Sequence, residues 1–125
     1  MASKFCVCRR CGNFISFVKD SGSPVSCCGE TMEELVPNTV EASTEKHIPV
    51  VTVGDNLVKV CVGSAAHPML DAHLIQWIIL ETDQGKVCKH LDAGEKPEIT
   101  FALCGEKPVA VYSYCNLHGL WKTEL

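Results

Sequence analysis

The stretch Leu74-Ile75-Gln76-Trp77-Ile78-Ile79-Leu80 decides the fold class. Residues of this type at period two, apolar on nearly both faces, predict a strand packed on two sides. Working outward, further strands are expected at 50–53, 57–62, 86–90, 98–103 and 109–114, with the central one running over 73–80. Gly54-Asp55, Asp83-Gln84-Gly85, Asp92-Ala93-Gly94 and Gly105-Glu106 supply turn signals between most of them. Strands of this length at this spacing read as a small β-sandwich or barrel. No segment reads as a long amphipathic helix, and there is no internal repeat.

Composition narrows the function. Of 125 residues, 46% are hydrophobic and 21% charged, which is enough to bury a core and excludes a disordered tail. The 15 Asp+Glu against 11 Lys+Arg give a net charge of −4, so no basic stripe is available for nucleic acid. No apolar run approaches the roughly 18 residues that a bilayer span needs. Met1-Ala2-Ser3-Lys4-Phe5 leads straight into cysteines without the apolar region of a secretory signal. The expectation is a cytoplasmic protein, away from membranes.

Cysteine is the outlier, with nine residues at positions 6, 8, 11, 27, 28, 61, 88, 104 and 115. An odd count without a secretory signal argues for metal or reactive thiols in a reducing compartment rather than a disulfide framework. Five of the nine fall within residues 1–36, beside short β-like runs at 14–18 and 24–26. So short a segment needs a metal, disulfides or a partner to fold. Residues 37–46 read as a linker, and 47–125 as the β-domain.

Cys8-x-x-Cys11 followed by Cys27-Cys28 offers four thiolates, a set that suits iron or zinc. Gly12 and Gly29 follow the two pairs, where the backbone must turn freely. The second pair is adjacent rather than CxxC, so the tetrahedron should be distorted. That spacing tilts toward iron, with structural zinc and a vicinal disulfide as the alternatives. Cys6 is a spare thiol that could replace Cys8.

The second constellation is His47, His67, His73, Cys115 and His118. In one extended strand His67 and His73 would lie about 20 Å apart at ~3.3 Å per residue, so Pro68–Ala72 must fold back if they share an ion. Cys115 and His118 sit at i, i+3, a spacing that a turn closes. Structural zinc closes at four ligands. Five donors of this kind fit a square-pyramidal iron with one position free, and the thiolate donates electron density to the metal. His90 has no such context and reads as a surface histidine. Cys61, Cys88 and Cys104 lie in or beside strands and read as buried small hydrophobes.

These residues resemble the desulfoferrodoxin family, the two-iron superoxide reductases. The resemblance runs over nearly the whole chain. It rests on Cys8-x-x-Cys11-Gly12-Asn13, Cys27-Cys28-Gly29, Glu45-Lys46-His47-Ile48-Pro49-Val50, Ala66-His67-Pro68-Met69, His73-x-Ile75-x-Trp77-Ile78 and Tyr114-Cys115-Asn116-x-His118-Gly119-x-Trp121-Lys122. It implies an all-β chain: a small desulforedoxin-like domain stapled by Fe(Cys)4, then an immunoglobulin-like β-sandwich with an Fe(His)4(Cys) centre. Two iron ions per chain are implied, with zinc the alternative at the first site. His47, His67, His73 and His118 would be equatorial and Cys115 axial.

The activity implied is one-electron reduction of superoxide to hydrogen peroxide, without dioxygen. Lys46 would steer the anion and order a proton-donating water. Glu45 would occupy the sixth position of the ferric state. Rubredoxin or a similar donor would re-reduce the iron, and residues 1–36 would form a homodimer contact. The chain departs from the family at Leu74 and Leu120, where an aromatic residue and a histidine are common. The competing readings are a rubredoxin-like electron carrier without catalysis and a zinc-stabilised binding module.

Overall fold

The computed structural model describes residues 3–125; Met1 and Ala2, which open the N-terminal stretch read above, lie outside them. The chain divides into two compact units, with the boundary between Val36 and Pro37. One four-residue helix apart, every regular element among the described residues is a strand.

The first unit holds β1 (Phe5–Val7), β2 (Phe14–Ser16), β3 (Ser26–Cys27), β4 (Glu30–Thr31) and β5 (Glu33–Glu34). β1 pairs antiparallel with both β2 and β5, and β3 with β4. Cys27 faces Glu30, which leaves Cys28-Gly29 as a two-residue loop with φ of 53° and 75°. Positive φ at both positions is the mark of a type I′ hairpin turn, whose twist matches that of the flanking strands. The interior is slight: Phe5, Cys6, Val7, Cys8 and Met32 are buried, with Ile15, Phe17 and Cys27 against the cysteines and Met32. The sequence reading finds only two of these strands. Runs of two or three residues are too short to display a period.

The second unit begins with α1 (Thr44–His47). The helix stops at once because Ile48 precedes Pro49 and is extended, at φ −68° and ψ 123°. There follow β6 (Pro49–Gly54), β7 (Leu57–Val62), β8 (Ile75–Thr82), β9 (Gly85–His90), β10 (Glu98–Ala102), β11 (Pro108–Cys115) and β12 (Gly119–Glu124). Two antiparallel sheets form, in strand orders β10-β7-β6 and β12-β11-β8-β9. Val58, Val60, Val62 and Phe101 from one and Ile75, Ile78, Leu80 and Val111 from the other make the core. This is the sandwich architecture expected from the sequence. On β8 the register slips between the Ile75 and Trp77 pairs, so Ile75 and Ile78, three residues apart, both face inward.

Six of the seven strands of this unit match the expected ones to within a residue or two at each end. β12 was not expected, and His73 sits in a turn ahead of β8. Residues 37–46, read as a linker, belong to the second unit. Asn38 lies along the β12 edge: its N–H donates to the Leu120 carbonyl at 3.0 Å, and its side-chain amide pairs with Lys122 through bonds of 2.9 and 3.2 Å.

Two thiol readings need correction. Cys88 and Cys104 are exposed, and Cys61 is half-buried. β9 is the outer strand of its sheet and is exposed along most of its length, and Cys104 stands in the turn after β10. Apolar character alone does not tell a central strand from an edge. Cys6 is buried within the first unit, and His90 is exposed as expected.

Candidate metal centres

The four thiols of the first unit come together from two tight turns. Cys8 and Cys11 flank a turn closed by the Gly12 N–H donating to the Cys8 carbonyl at 2.9 Å, with Gly12 at φ 84°. Cys27 and Cys28 come from the hairpin loop just described, and its left-handed backbone turns adjacent side chains toward one point. All four Sγ atoms lie within 4.8 Å of one another. Cys11 and Cys27 are 3.5 Å apart, and Cys27 and Cys28 3.9 Å. Thiolates at ~2.3 Å around a tetrahedral ion sit about 3.8 Å apart, so the set is of the right size. Backbone N–H groups of Cys11 and Arg10 hold the Cys8 thiol down at about 6. Hydrogen bonding with Cys11 and Cys8 pushes Cys28 up to about 12. One thiolate is thus prepared, and a cation must displace the protons of the others.

In the second unit, His47 ends α1, His67 lies in the loop after β7, His73 in the turn before β8, and Cys115 and His118 bracket the turn from β11 to β12. The donor atoms of His47, His67, His73 and Cys115 all lie within 4.8 Å of one another. The His118 Nδ1 joins them at 3.1 Å from His47 Nε2 and 3.9 Å from Cys115 Sγ. The four imidazoles form a closed cycle, 47–67–73–118, with neighbouring centroids 4.7–5.0 Å apart and ring planes at 77–87°. His67 and His73 do fold together: a Leu70–His73 pair of backbone bonds, 2.9 and 3.0 Å, closes the loop between them.

Local bonds set the tautomers. His47 Nδ1–H donates to the Ser43 carbonyl and His67 Nδ1–H to the Pro68 carbonyl, each at 2.6 Å, which leaves both Nε2 atoms as lone-pair donors. Those two lone pairs then face each other at 3.1 Å, and the buried Nε2 of His73 has no hydrogen-bond partner. Burial, together with the nearby His118, His73 and Lys46 charges, lowers the His47 pKa. Burial does the same to His67, down to about 4, and to His73, where His118 and Lys46 add to it. Neutral imidazoles are the ligating form. The Cys115 thiol is pushed up by burial and eased down by the His118 and Leu117 N–H groups.

Convergent lone pairs and an orphaned buried nitrogen are what a cation would satisfy. Nitrogens at ~2.1 Å from one ion lie about 3.0 Å apart across a right angle and about 3.4 Å apart in a tetrahedron. The observed 3.1 Å separations are of the size that ligands of one ion require. The residues therefore fit two metal ions, one per unit. Glu45 and Lys46 are exposed at the rim. Supports that the sequence reading passed over are now visible. The Ser113 hydroxyl, fully buried, donates to the His47 carbonyl at 3.0 Å. The Trp121 ring stacks on His47 at 5.0 Å and its Nε1–H bonds the His118 carbonyl at 3.1 Å. Trp121 belongs to the quoted motif, but no spacing rule flags such a role.

A model of the desulfoferrodoxin family matches residues 39–124. The chain belongs to the desulfoferrodoxin family. A desulfoferrodoxin from Syntrophotalea carbinolica is 44% identical over 94% of this chain and 92% of its own, and one from Nitratidesulfovibrio vulgaris is 43% identical over the same shares. Among solved structures, a superoxide reductase from Treponema pallidum is 38% identical, superimposes with a TM-score of 0.84, and covers 99% of this chain and 100% of that one. A one-iron superoxide reductase from Giardia intestinalis is 31% identical with a TM-score of 0.53, covering 66% of this chain and 100% of that one. The desulfoferrodoxin relatives thus align with both units.

Proposed function

We propose that this chain is a superoxide reductase whose reaction takes place at an iron held by His47, His67, His73, His118 and Cys115. The observation that carries the reading is the closed cycle of four imidazoles, two of them with facing lone pairs 3.1 Å apart, beside a buried thiol. Five nitrogen and sulfur donors suit iron better than zinc, which closes at four. A ferrous ion bound there supplies the one electron that, with two protons, converts superoxide to hydrogen peroxide.

The remaining work belongs to side chains. Histidine ligates a metal as the neutral imidazole, so with an ion bound the one formal negative charge among the five donors would be a Cys115 thiolate. Lys46 is exposed, and its charge reaches His47 and His73. It attracts the substrate anion to that face and orders the water that delivers a proton. Glu45, its neighbour in sequence, would supply a carboxylate to the ferric ion between turnovers.

The first unit is assigned as a desulforedoxin-like domain over 1–36, with Cys8, Cys11, Cys27 and Cys28 around a second iron. Zinc is the alternative there, and metal analysis separates the two. Four thiolates leave no open position, so this centre relays an electron or holds its unit together. Residues 37–46 lead into the catalytic domain, 47–125. An external donor of the rubredoxin kind re-reduces the catalytic iron. The unit 1–36 is the proposed homodimer contact. Nine thiols without a disulfide fit a reducing cytoplasm. No helix among the described residues is long and apolar enough to cross a membrane.

The deciding experiment is stoichiometric. Reduced, iron-loaded protein exposed to superoxide should yield one hydrogen peroxide per superoxide and no dioxygen, while an absorption from thiolate to oxidised iron grows in step. Tetrathiolate bands alone, with superoxide decaying no faster than without protein, would establish an electron carrier.

A further inference from the structure

Asn116 stands between two of the five converging donors, Cys115 and His118, yet its side chain points to a third. Its Nδ2–H donates to the Ala72 carbonyl at 2.9 Å, and its Oδ1 accepts from the Leu74 N–H at 3.0 Å. Its own backbone N–H donates to the Leu74 carbonyl at 3.3 Å. These bonds flank His73 on both sides. The N–H and C=O of His73 are taken by Leu70, at 3.0 and 2.9 Å. Every backbone polar group from the Ala72 carbonyl to the Leu74 carbonyl is therefore satisfied, which the half-buried His73 and the buried Leu74 require.

The β-ladder cannot do this by itself. Pairing between β8 and β11 slips where Tyr114 faces Trp77 but Cys115 faces Ile75, and the strand ends there. A carboxamide carries the same donor and acceptor as a peptide group, so the Asn116 side chain extends the pairing past the irregularity. We propose that Asn116 is a positioning residue that fixes the His73 arm of the metal centre to the Cys115–His118 turn. Without its side chain, the Ala72 carbonyl and the Leu74 N–H lose their partners on either side of His73, and the imidazole leaves the cycle more readily.

The inference rests on the five-donor reading above, and Co(II) bound to the full chain tests both. In the unaltered chain, Co(II) should fill both centres. The weaker d–d bands of a five-coordinate site would appear beside the stronger tetrathiolate bands. Asn116→Ala should weaken Co(II) binding at the histidine centre, and so speed its release to a chelator, by about 10–100-fold, the range of affinity lost with outer partners of metal ligands. Its bands should shift toward a four-coordinate pattern, while the tetrathiolate centre in the same molecule is unchanged. Asn116→Asp keeps the acceptor for Leu74 but loses the donor for Ala72, and should fall in between. A release rate for Asn116→Ala within twofold of the unaltered chain overturns the positioning role. If that variant does not fold, Asn116→Asp decides alone: faster release supports the role, unchanged release overturns it. If the unaltered chain gives only tetrathiolate bands, the five-donor reading falls and takes this inference with it.

Discussion

Gly63 shows how one missing atom shapes the rim of the site. A Cβ built there would lie 2.3 Å from the Glu45 carbonyl oxygen and 2.9 Å from the Lys46 carbonyl carbon, both backbone atoms. The loop after β7 can thus lie flat against the α1 turn. That carbonyl accepts from the Ala65 N–H at 2.9 Å and the Ser64 hydroxyl at 3.4 Å. Gly63→Ala must push the Glu45–Lys46 turn outward. We expect a loss of about 1–3 kcal/mol in denaturant unfolding, the usual range for overpacking, together with slower reaction with superoxide. Unchanged unfolding would mean that the turn yields freely. The donors themselves were legible in the sequence, because chemistry restricts them to few residue types at few spacings. Gly63, Ser113 and the amide of Asn116 were not legible, since a support is defined by what it touches across the fold. Cys88 and Cys104 failed for a related reason: the exposure of Cys88 depends on β9 lying at an edge, and that of Cys104 on β10 ending before it.

At the level of elements, β6 to β11 were readable because alternation and Gly/Asp turns agree along them. β12 was not. Gly119-Leu120-Trp121-Lys122 buries Leu120 and Trp121 in succession, which breaks the period. Its free edge is partly met by Asn38, whose φ of 62° an asparagine tolerates better than most residues. Two substitutions separate the amide from the backbone. Asn38→Gly keeps the left-handed conformation and loses the two side-chain bonds, which should cost about 1–2 kcal/mol. Asn38→Ala adds backbone strain and should cost about 1–2 kcal/mol more. Urea unfolding of the two variants provides the comparison, and equal midpoints would show that φ at 38 relaxes.

On the scale of the molecule, the two units are unequal in what holds them. The second has a sandwich core drawn from both sheets, and the first a short run of buried side chains, Phe5, Cys6, Val7 and Cys8 with Met32. Segments below about 40 residues usually lean on a metal or cross-link. Cys28→Ser should abolish tight metal binding in the first unit and make residues 3–36 the first site of limited proteolysis. Metal content at the histidine centre should stay at one ion per chain. Loss of both ions together would show that the units are not independent.

One arrangement bears on the order of events during maturation. His47 enters the three-stranded sheet and His67 leaves it, whereas Cys115 and His118 belong to the end of the four-stranded sheet. His47 and His118 are 71 residues apart in the chain and 3.1 Å apart through their ring nitrogens. The donor set therefore does not exist until the two sheets have closed on each other. An ion that binds it recognises only the finished sandwich and draws the folding equilibrium toward that state by mass action. Once seated, it rivets the two sheets together at one end. Amide exchange should slow most where β6, β7 and β11 approach the ion and fade toward the opposite rim.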